Sequence, residues 1–397
     1  MSAALAGVRI AFAAFDPFPN LKGSGTRISR LAGALAEAGA HVTLLTLPGT
    51  CQLELPPGVE LRPQRLAEDN YLCRALAFRD AVARELVALR PDVVHFRGPF
   101  EGQAAAAYAR GRAVRSVFEV NGLPSVELRY HYPAVAAATS FEGKLRASEQ
   151  RLLSEADAVV TQSRATERFL VLRGMRPDHA TVIPNGADPL PLGACTVTTN
   201  DGPVRVLYVG TLAAWQGLPD LLVAMRRAAR TADVRLDVVG WGQKRWRRLL
   251  ERHARRLKVG DRVAFHGAVP RTELSGLIAA SDICAAPLRR DRRNRVQGCS
   301  PIKLFEYMAA GRAVLSTSLP CLQEIVRDGE TGVLARASHS HDLAARLGEL
   351  AADAGLRARL GARARRELAD EATWQHRAAA LVTFYRERLL ASEYTAA

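Results

Sequence analysis

Lysine, aromatic residues and low-complexity segments are scarce in this sequence. Only five of its 55 basic residues are lysine, aromatic residues make up 6%, and no Ser/Gln-rich or repetitive tract interrupts the chain. The apolar fraction of 48% and the charged fraction of 24% are those of an ordinary soluble globular protein. These features exclude a largely disordered chain, so we expect the chain to fold throughout.

Cysteine is also sparse, and its spacing is uninformative. The six cysteines form no CxxC pair and no metal-ligand pattern; they stand at positions 51, 73, 195, 284, 299 and 321. We therefore expect reduced, mostly buried thiols, without disulfides and without structural zinc. The N-terminal stretch MSAALAGVRIAFAAFDPF is too short for a membrane span and matches a signal peptide poorly, so we expect a cytoplasmic protein.

The net charge of +15 favours an anionic partner, which could be nucleic acid, a membrane surface or a phosphorylated substrate. Arginine bias from a GC-rich genome is the competing explanation. The most basic segment, KRWRRLLERHARRLK (244–258), predicts a helix with Trp246, Leu249, Leu250 and Leu257 on one side. Its basic side could rest on anionic lipid at the inner face of a membrane, or it could simply be a solvated face.

Short β-branched runs alternate with longer amphipathic stretches from end to end. Runs such as VRIAFAAF, HVTLLTL and DVVHFRG are typical of buried parallel strands, and the stretches between them are typical of helices. The pattern begins again with VRVLYVG, after a Gly/Pro/Asn/Thr-rich stretch at 184–203. It predicts a doubly wound α/β fold in two Rossmann-like domains.

We place the N-terminal domain at 1–190, the C-terminal domain at 203–375 and a final helix at 376–397 that packs near the domain junction. A chain of 397 residues exceeds the usual size of a single core, which supports two domains. Two such domains predict a cleft between them, with ligands bound at the carboxyl ends of strands.

The segment CSPIKLFEYMAAGRAVLST (299–317) carries the clearest local chemistry. Ser300 is a good N-cap, Pro301 suits the first helical position and Gly311 suits the C-terminal stop, which predicts a helix of about three turns. The first amides of this helix, with the ammonium of Lys303, form a natural site for phosphate oxygens. Glu306, three positions later, could accept both hydroxyls of a ribose. The alternative is a plain Lys303–Glu306 pair on an exposed face.

The order of motifs over 205–335 resembles the nucleotide-sugar domain of retaining glycosyltransferases of the family 4 type. It includes VLYVGTLAAWQGLPDLLVAM, GDRVAFHGAVPRTELSGLIAASDICAAPL and SPIKLFEYMAAGRAVLSTSLPCLQEIVRDGETGVL. In the first half, NLKGSGTRISRLAGALAEAGAHVTLLT and SEADAVVTQSRATERFL resemble the acceptor domain of the same enzymes. The resemblance covers nearly the whole chain and implies the two-domain GT-B fold, with no cofactor and no metal ion.

The resemblance also implies roles for particular residues. Glu306 matches the second glutamate of the family's Glu-x7-Glu motif, which contacts the nucleoside ribose. The donor diphosphate would meet the helix start at Ser300, Ile302 and Lys303.

Two pairs of residues complete the donor site that the resemblance implies. Gly23 and Gly25 match the loop where backbone approaches the transferring phosphate, although a simple strand-to-helix turn would also need glycine. Gly267 and Val269 fall where main chain usually meets the base, and core packing is the alternative there.

The sequence departs from the family pattern at three positions. The first glutamate of the Glu-x7-Glu pair would fall at Gly298, so the donor sugar must be contacted in another way. The two cations that often bind the diphosphate are replaced by Thr211 and Gln216. Lys303 is the obvious replacement, and Arg295 in the basic stretch RRDRRNRVQG is the second, unless that stretch is a solvated charge run.

In the first half, the strand SVFEV leads to Glu119 and Asn121, where relatives often place a histidine near the reacting carbon. Glu119 could orient the acceptor hydroxyl or stabilise developing positive charge, or it could be a loop glutamate bonded to nearby backbone. Asn121 is the candidate for contact with the acceptor. We expect His95 to be a satisfied core histidine and Trp215 to pack in the protein interior.

Together these features predict a retaining, metal-independent glycosyltransferase that uses a UDP- or GDP-sugar donor. Lys303 and Glu119 are its candidate catalytic residues. The resemblance implies a saccharide or lipid-linked acceptor, as in the synthesis of exopolysaccharide, lipopolysaccharide or another glycoconjugate. One alternative is a GT-B sugar-nucleotide epimerase, which uses the same donor site without an acceptor. Another is a non-catalytic basic protein that binds a membrane surface, whereas no helix-turn-helix, zinc finger or aromatic stacking signature supports nucleic acid.

Overall fold

The computed structural model of the protein describes residues 4–52, 54–132, 138–190 and 202–391. Cys195, much of the linker stretch expected at 184–203 and the last six residues of the expected C-terminal helix lie outside the described residues. The chain divides into two compact units. Unit 1 comprises Met1–Pro184 and Gln375–Ala397, and unit 2 comprises Asn185–Trp374.

Unit 1 contains a parallel sheet whose described strands lie in the order β3-β2-β1-β4-β5-β6-β7. The strands are Arg9–Phe18 (β1), His41–Pro48 (β2), Val59–Pro63 (β3), Val93–Phe96 (β4), Arg115–Val120 (β5), Ala158–Thr161 (β6) and Ala180–Val182 (β7). The strand order changes direction between β1 and β4, and ligands of doubly wound folds bind at the carboxyl ends of strands at such a point.

Helices cover both faces of this sheet. They are Gly23–Glu37 (α1), Tyr71–Leu89 (α2), Pro99–Ala109 (α3), Pro124–His131 (α4), Thr139–Glu155 (α5) and Arg164–Val171 (α6). Alternate residues of β1 enter two separate cores: Ile10 and Phe12 pack with α1, whereas Ala11 and Ala13 pack with residues of α2 and α3. Strands buried on both faces account for the nearly continuous apolar runs in the sequence.

Unit 2 contains a second parallel sheet, in the order β10-β9-β8-β11-β12-β13 among the described residues. Its strands are Val204–Val209 (β8), Val234–Val239 (β9), Val263–Gly267 (β10), Ile283–Ala286 (β11), Ala313–Thr317 (β12) and Val333–Ala335 (β13). Its helices are Leu218–Ala228 (α7), Lys244–Arg256 (α8), Arg271–Ala279 (α9), Ile302–Ala309 (α10), Pro320–Gln323 (α11), Ser340–Ala352 (α12) and Ala354–Glu371 (α13). Both sheets confirm the doubly wound α/β prediction.

The C-terminal helix α14 (Trp374–Phe384) continues into a π-helical turn at Tyr385–Leu389. Leu381, Phe384, Tyr385 and Leu389 are buried in the same core as the inner face of α1. The end of the chain therefore completes the core of unit 1.

The structure corrects the predicted start of α10. Ser300 does not cap this helix, because its hydroxyl accepts the backbone N–H of Asn185 at 3.2 Å instead. Pro301 has extended backbone angles and precedes the first helical residue, so the helix has eight residues and is shorter than expected. The predicted stop is confirmed: Gly311 has φ +63°, a left-handed conformation that favours glycine.

The structure also corrects one residue of α8. Leu250 and Ala254 are buried and Trp246 and Leu257 pack against the same core, but Leu249 is 37% exposed. The sequence pattern wrongly placed Leu249 on the buried side of α8. It lies about 100° around the helix axis from Leu250. None of the described helices has the length and apolarity that crossing a bilayer requires.

Candidate functional site

The segment 210–217 follows strand β8 at the direction change of the second sheet. Gly217 has φ +76°, and a Cβ atom added there would lie 1.7 Å from the carbonyl oxygen of Pro287, which follows β11. Only glycine permits this approach, so the segment is held closely against the end of β11. The carboxyl ends of β8 and β11 therefore lie close together.

Lys303, Gln216 and Thr211, which the sequence singled out, meet around Tyr208. The Lys303 ammonium donates a hydrogen bond to Gln216 Oε1 at 2.9 Å and lies 4.3 Å from the centre of the Tyr208 ring. The Tyr208 hydroxyl lies 2.8 Å from the carbonyl oxygen of Thr211 and 3.1 Å from Gln216 Oε1. Gly210 leaves the space in which the ammonium sits, since an added Cβ would lie 2.6 Å from Lys303 Nζ.

Tyr208 is a contributor that sequence reasoning missed. It is buried in β8 and packs in the apolar core of unit 2. Its one polar atom lies beside the segment 210–217, where the strand ends. The signal available in the sequence was a tyrosine, which usually needs a partner for its hydroxyl, one residue before the end of an otherwise apolar strand.

Burial lowers the pKa of Lys303 to about 7, and nearby Arg293 adds to the effect, while Cys299 and Glu306 oppose it. The lysine has no carboxylate within ion-pair distance among the described residues. A bound anion would stabilise the charged form of Lys303, because its attraction offsets the hydration that the ammonium loses on burial. The site is therefore suited to an anionic group.

Glu306 lies one turn further along α10 and points to a different partner. Its Oε1 accepts a hydrogen bond from Arg271 of α9 at 3.2 Å, and 17% of its side chain is exposed. Burial raises the pKa of this carboxyl, although Arg271 and Lys303 oppose the rise. The alternative of a simple Lys303–Glu306 pair on an exposed face is therefore wrong.

The remaining donor-site candidates of unit 2 lie on several elements. Ser300 is buried and Ile302 is partly exposed as the first residue of α10. Gly267 ends β10 with φ +79°, and nothing lies within 4 Å of where its Cβ would be, while Val269 is partly exposed two residues later. Core packing does not explain Gly267.

Arg295 and Gly298 belong to the basic stretch before α10. Arg295 is exposed on a π-helical turn that spans Arg293–Gln297. Gly298 follows this turn with φ 81° and ψ 175°, a region that is essentially restricted to glycine. A glutamate at this position would be strained. Trp215 is buried, as expected, with the guanidinium carbon of Arg293 5.4 Å from its ring centre.

In unit 1, Glu119 is fully buried at the end of β5 and is surrounded by side-chain donors. Its Oε1 accepts from Arg27 Nε at 2.6 Å and from Asn121 Nδ2 at 2.7 Å, and its Oε2 lies 3.1 Å from His95 Nε2. Arg97 Nε lies 3.5 Å from Oε2. The alternative of a loop glutamate bonded to nearby backbone is therefore wrong.

Charges determine the protonation of this cluster. Burial alone would raise the pKa of the Glu119 carboxyl, but Arg97, Arg27 and His95 outweigh it and hold the pKa well below its usual range. Burial lowers the pKa of His95, with Glu119 opposing. Since a carboxylate only accepts, His95 Nε2 carries the proton, and Nδ1 accepts from the Tyr385 hydroxyl at 2.7 Å. The expectation of a satisfied core histidine is confirmed.

Gly23 and Gly25 lie in the first turn of α1, after β1. Gly23 is exposed, and Gly25 is buried where an added Cβ would lie 2.6 Å from the carbonyl oxygen of Asn20. The side chain of Asn20 in turn accepts the backbone N–H of Lys22 at 2.7 Å. Glycine at position 25 is thus required by the turn itself. Within the described residues, no group of three or more His, Cys, Asp or Glu side chains could hold a metal ion.

Two family models match different parts of this chain. The family model described as "Glycosyl transferases group 1" matches residues 203–353, and the model described as "Glycosyltransferase Family 4" matches residues 21–189. The first match lies within unit 2. The second lies in unit 1, except that it also includes residues 185–189 at the start of unit 2.

Two curated relatives are similar over most of their length. A D-inositol 3-phosphate glycosyltransferase from Xylanimonas cellulosilytica is 29% identical over 92% of this chain and 91% of its own. A glycogen synthase from Mycobacterium tuberculosis is 28% identical over 91% of this chain and 90% of its own. The names of the two relatives refer to different compounds.

Solved structures share the fold. A sucrose-phosphate synthase from Thermosynechococcus elongatus superimposes with a TM-score of 0.81 over 97% of this chain and all of its own, at 21% identity. An Anabaena protein in complex with UDP-glucose gives a TM-score of 0.73 over 94% of this chain and 98% of its own, at 16% identity. At such identities the likeness establishes the architecture alone.

Proposed function

The chain belongs to the GT-B glycosyltransferases of the group 1, family 4 type, and we propose that it transfers a sugar from a nucleoside diphosphate sugar to an acceptor hydroxyl. The proposed transfer retains the anomeric configuration and needs no metal ion. The observation that carries the proposal is the environment of Lys303, which is partly buried, has a pKa of about 7 and lies at the start of a helix.

The donor diphosphate would bind between Lys303 and the first turn of α10. The opening N–H groups of a helix lack intrahelical acceptors, and the helix dipole adds about half a positive charge. Ile302 and Lys303 supply the first of these groups, and Gln216 already holds the ammonium in position. Thr211 lies close to this ammonium, because its carbonyl oxygen accepts a hydrogen bond from the Tyr208 hydroxyl beside it.

The nucleoside would bind along the edge formed by α10 and β10. Glu306 has one oxygen on Arg271, which leaves acceptor capacity on its other oxygen for the ribose hydroxyls. Gly267 and Val269 lie after β10, with open space above Gly267 for a base to meet the main chain. In support, a UDP-glucose complex is known for an Anabaena protein of the same fold.

The donor sugar would be held without the first glutamate of the family motif. The backbone at Gly298 has a conformation that a glutamate would enter only with strain, so the difference extends beyond one side chain. We assign this contact to backbone groups around Gly298, with Arg295 as a second cation for the phosphates. An exposed arginine on a turn can reach an entering anion at little cost.

The chemistry would proceed as follows. The bond between the anomeric carbon and the phosphate oxygen breaks, a bond to the acceptor oxygen forms on the same face, and the leaving phosphate takes the acceptor proton. Negative charge grows on the diphosphate in this step, so Lys303 and the helix amides stabilise the transition state more than the ground state.

On unit 1, we assign Glu119 to positioning and Asn121 to acceptor contact. Glu119 touches Arg27, His95 and Asn121 and is fully buried, so direct contact with an acceptor would require it to leave these partners. It holds Asn121, which is partly exposed, by a 2.7 Å hydrogen bond. Gly23 and Gly25 would let the first turn of α1 approach the transferring group.

The acceptor class in the proposal is a saccharide or lipid-linked saccharide, in glycoconjugate or polysaccharide synthesis in the cytoplasm. A relative named glycogen synthase supports a saccharide, although another is named for inositol 3-phosphate.

The test is incubation with a panel of UDP-, GDP- and ADP-sugars, with and without chelator. We expect slow acceptor-free hydrolysis of one donor, with the first-formed sugar in the anomeric form of the donor by NMR. An epimerised donor would instead identify a sugar-nucleotide epimerase. Failure of every nucleotide to bind in calorimetry would refute the proposal.

A further inference from the structure

The exposed side of α8 carries the densest positive charge among the described helices. Seven of its 13 residues are Lys or Arg, and Glu251 is its one acid. Successive residues turn by about 100° around a helix axis, so Arg245, Arg248, Arg252 and Arg256 share one stripe with Leu249 among them. All five are exposed.

Several other arginines on the surface of unit 2 have acidic partners. On α13 and its surroundings, Arg363 pairs with Glu330 at 2.6 Å, and Arg327 pairs with Glu367. On α8, the described ion pair is that of Arg247 with Glu251, one turn apart and at the side of the stripe. Arginine bias in the genome explains many arginines, but it does not explain why four of them share one stripe of α8 for which no acidic partner is described.

Apolar groups lie among the charges. Leu249 is 37% exposed within the stripe, and Trp241, three residues before the helix, is 42% exposed. The inner side of α8 packs in the core through Leu250 and Ala254 and cannot turn outwards. A surface partner would therefore meet a fixed face of cations with a leucine inside it and a tryptophan at its end.

An open cavity of about 680 Å³ lies beside the C-terminal end of the helix. Arg247, Arg255 and Lys258 line it together with Phe265, and two acids, Glu251 and Asp261, are also present. Its mixture of cations and an aromatic wall suits an amphiphilic headgroup better than a bare ion.

We propose that the exposed face of α8, with Trp241 and this cavity, is a docking surface for an anionic lipid bilayer. Lysine and arginine close to an anionic surface attract it, while tryptophan and leucine favour the interfacial region. Exposed apolar groups within the charge distinguish this face from a site for single-stranded nucleic acid, which typically stacks bases on aromatic side chains along a groove.

Docking there would also hold the proposed donor site of unit 2 close to the bilayer. The carbonyl oxygen of Trp241 accepts the backbone N–H of Leu212 at 2.8 Å, and Gly210 N–H donates to the carbonyl oxygen of Val239 at 2.9 Å. The start of the docking surface is thus hydrogen-bonded to the segment that carries Thr211 and Gln216. A lipid-linked molecule would meet the protein near this segment.

The test is co-sedimentation of the full chain with two kinds of vesicle, one of phosphatidylcholine alone and one of phosphatidylcholine mixed with anionic phosphatidylglycerol. The variant is Arg245→Gln, Arg248→Gln, Arg252→Gln. The control is Arg226→Gln, Arg359→Gln, Arg366→Gln, which removes the same charge from exposed positions on α7 and α13. Circular dichroism checks that both variants fold.

We expect the α8 variant to lose about 100-fold in partitioning to anionic vesicles, since each cation contributes about fivefold near such a surface. The control should lose far less, and added salt should weaken binding of the unmodified chain. Equal losses in both variants, equal binding to neutral vesicles or no vesicle binding would overturn the proposal. Binding of single-stranded RNA that depends on α8, without vesicle binding, would also overturn it.

Discussion

The ammonium of Lys303 lies 2.9 Å from the side-chain oxygen of Gln216, although 87 positions separate the two residues. A glutamine accepts this hydrogen bond without neutralising the charge, so the cation is oriented but stays available to an anion. The Tyr208 ring beneath it contributes a cation–π contact that also leaves the charge intact. This pairing leads to the first two predictions.

Lys303→Ala should lower kcat more than it raises KM, because the diphosphate gains charge as the glycosidic bond breaks. Lys303→Arg should restore activity only in part, since a planar guanidinium replaces a compact ammonium poorly in a confined site. Adding Gln216→Lys to Lys303→Ala should return some activity, because both side chains meet at one point. Turnover against donor concentration measures all three variants. Lys144→Ala, which changes an exposed residue of α5, is the control. Near-normal kcat in Lys303→Ala would refute a role of Lys303 in stabilising the transition state.

Donor affinity should fall as pH rises above about 7. The pKa of Lys303 is about 7 in the empty site, and a bound diphosphate raises it. Above pH 7, binding must therefore take up a proton, and affinity should decrease by about tenfold per pH unit until the raised pKa is reached. Calorimetry in buffers of different ionisation enthalpy counts the proton. Lys303→Met should abolish the uptake, and uptake that persists in this variant would point to another group.

Glu306→Gln should weaken donor and nucleoside diphosphate binding by about 10- to 100-fold. The amide keeps the shape of the side chain but loses charge-assisted hydrogen bonds, each of which contributes about 1.5–3 kcal/mol. Isothermal titration with the nucleotide measures the effect. Glu273→Gln, exposed on α9, should bind normally. Unchanged affinity in Glu306→Gln would remove Glu306 from the ribose site.

Tyr385→Phe should reduce the free energy of unfolding of unit 1 by about 1–3 kcal/mol, because it leaves the buried Nδ1 of His95 without its donor. Chemical denaturation followed by circular dichroism measures the change. Tyr132→Phe removes a hydroxyl from a side chain that is 44% exposed and should stay within about 0.5 kcal/mol of the parent protein. Equal effects of the two variants would show that the Tyr385 hydrogen bond adds no stability.

Unit 1 should lose stability as pH falls below about 6.5. His95 has a lowered pKa in the folded protein, so the unfolded chain binds more protons in this range. Glu119, whose pKa is held well below its usual range, acts in the same direction at lower pH. Denaturation midpoints at pH 7.5, 6.5 and 5.5 measure the slope. His95→Gln should flatten it and exposed His41→Gln should not, while a flat profile in the parent protein would contradict the prediction.

Local patterns in the sequence predicted the fold and the face of α10 that carries Lys303 and Glu306. Buried parallel strands produce continuous apolar runs, and helix signals lie within a few residues of the helix end, so both are visible in one stretch of chain. Gly311 shows this, because its left-handed conformation stops α10 where the sequence placed the stop.

Partners that are distant in sequence could not be predicted in this way. Ser300 has the residue type of an N-cap, but its hydroxyl is occupied by Asn185, 115 positions earlier. Glu119 was placed correctly at a strand end, whereas its burial depends on Arg27 and His95, which arrive from α1 and β4. The residue types in the sequence indicated candidate binding sites. Only the folded chain shows which of these polar side chains already have a partner within the protein.

The return of α14 to unit 1 affects the order in which the chain can fold during synthesis. Unit 2 is continuous from Asn185 to Trp374, so all of its core residues have been translated before α14 is complete. Unit 1 begins the chain but still lacks Leu381, Phe384 and Tyr385 at that stage, so its core is incomplete. A nascent chain would therefore expose part of the apolar core of unit 1 until α14 has been synthesised, and such transiently exposed surface is prone to aggregation.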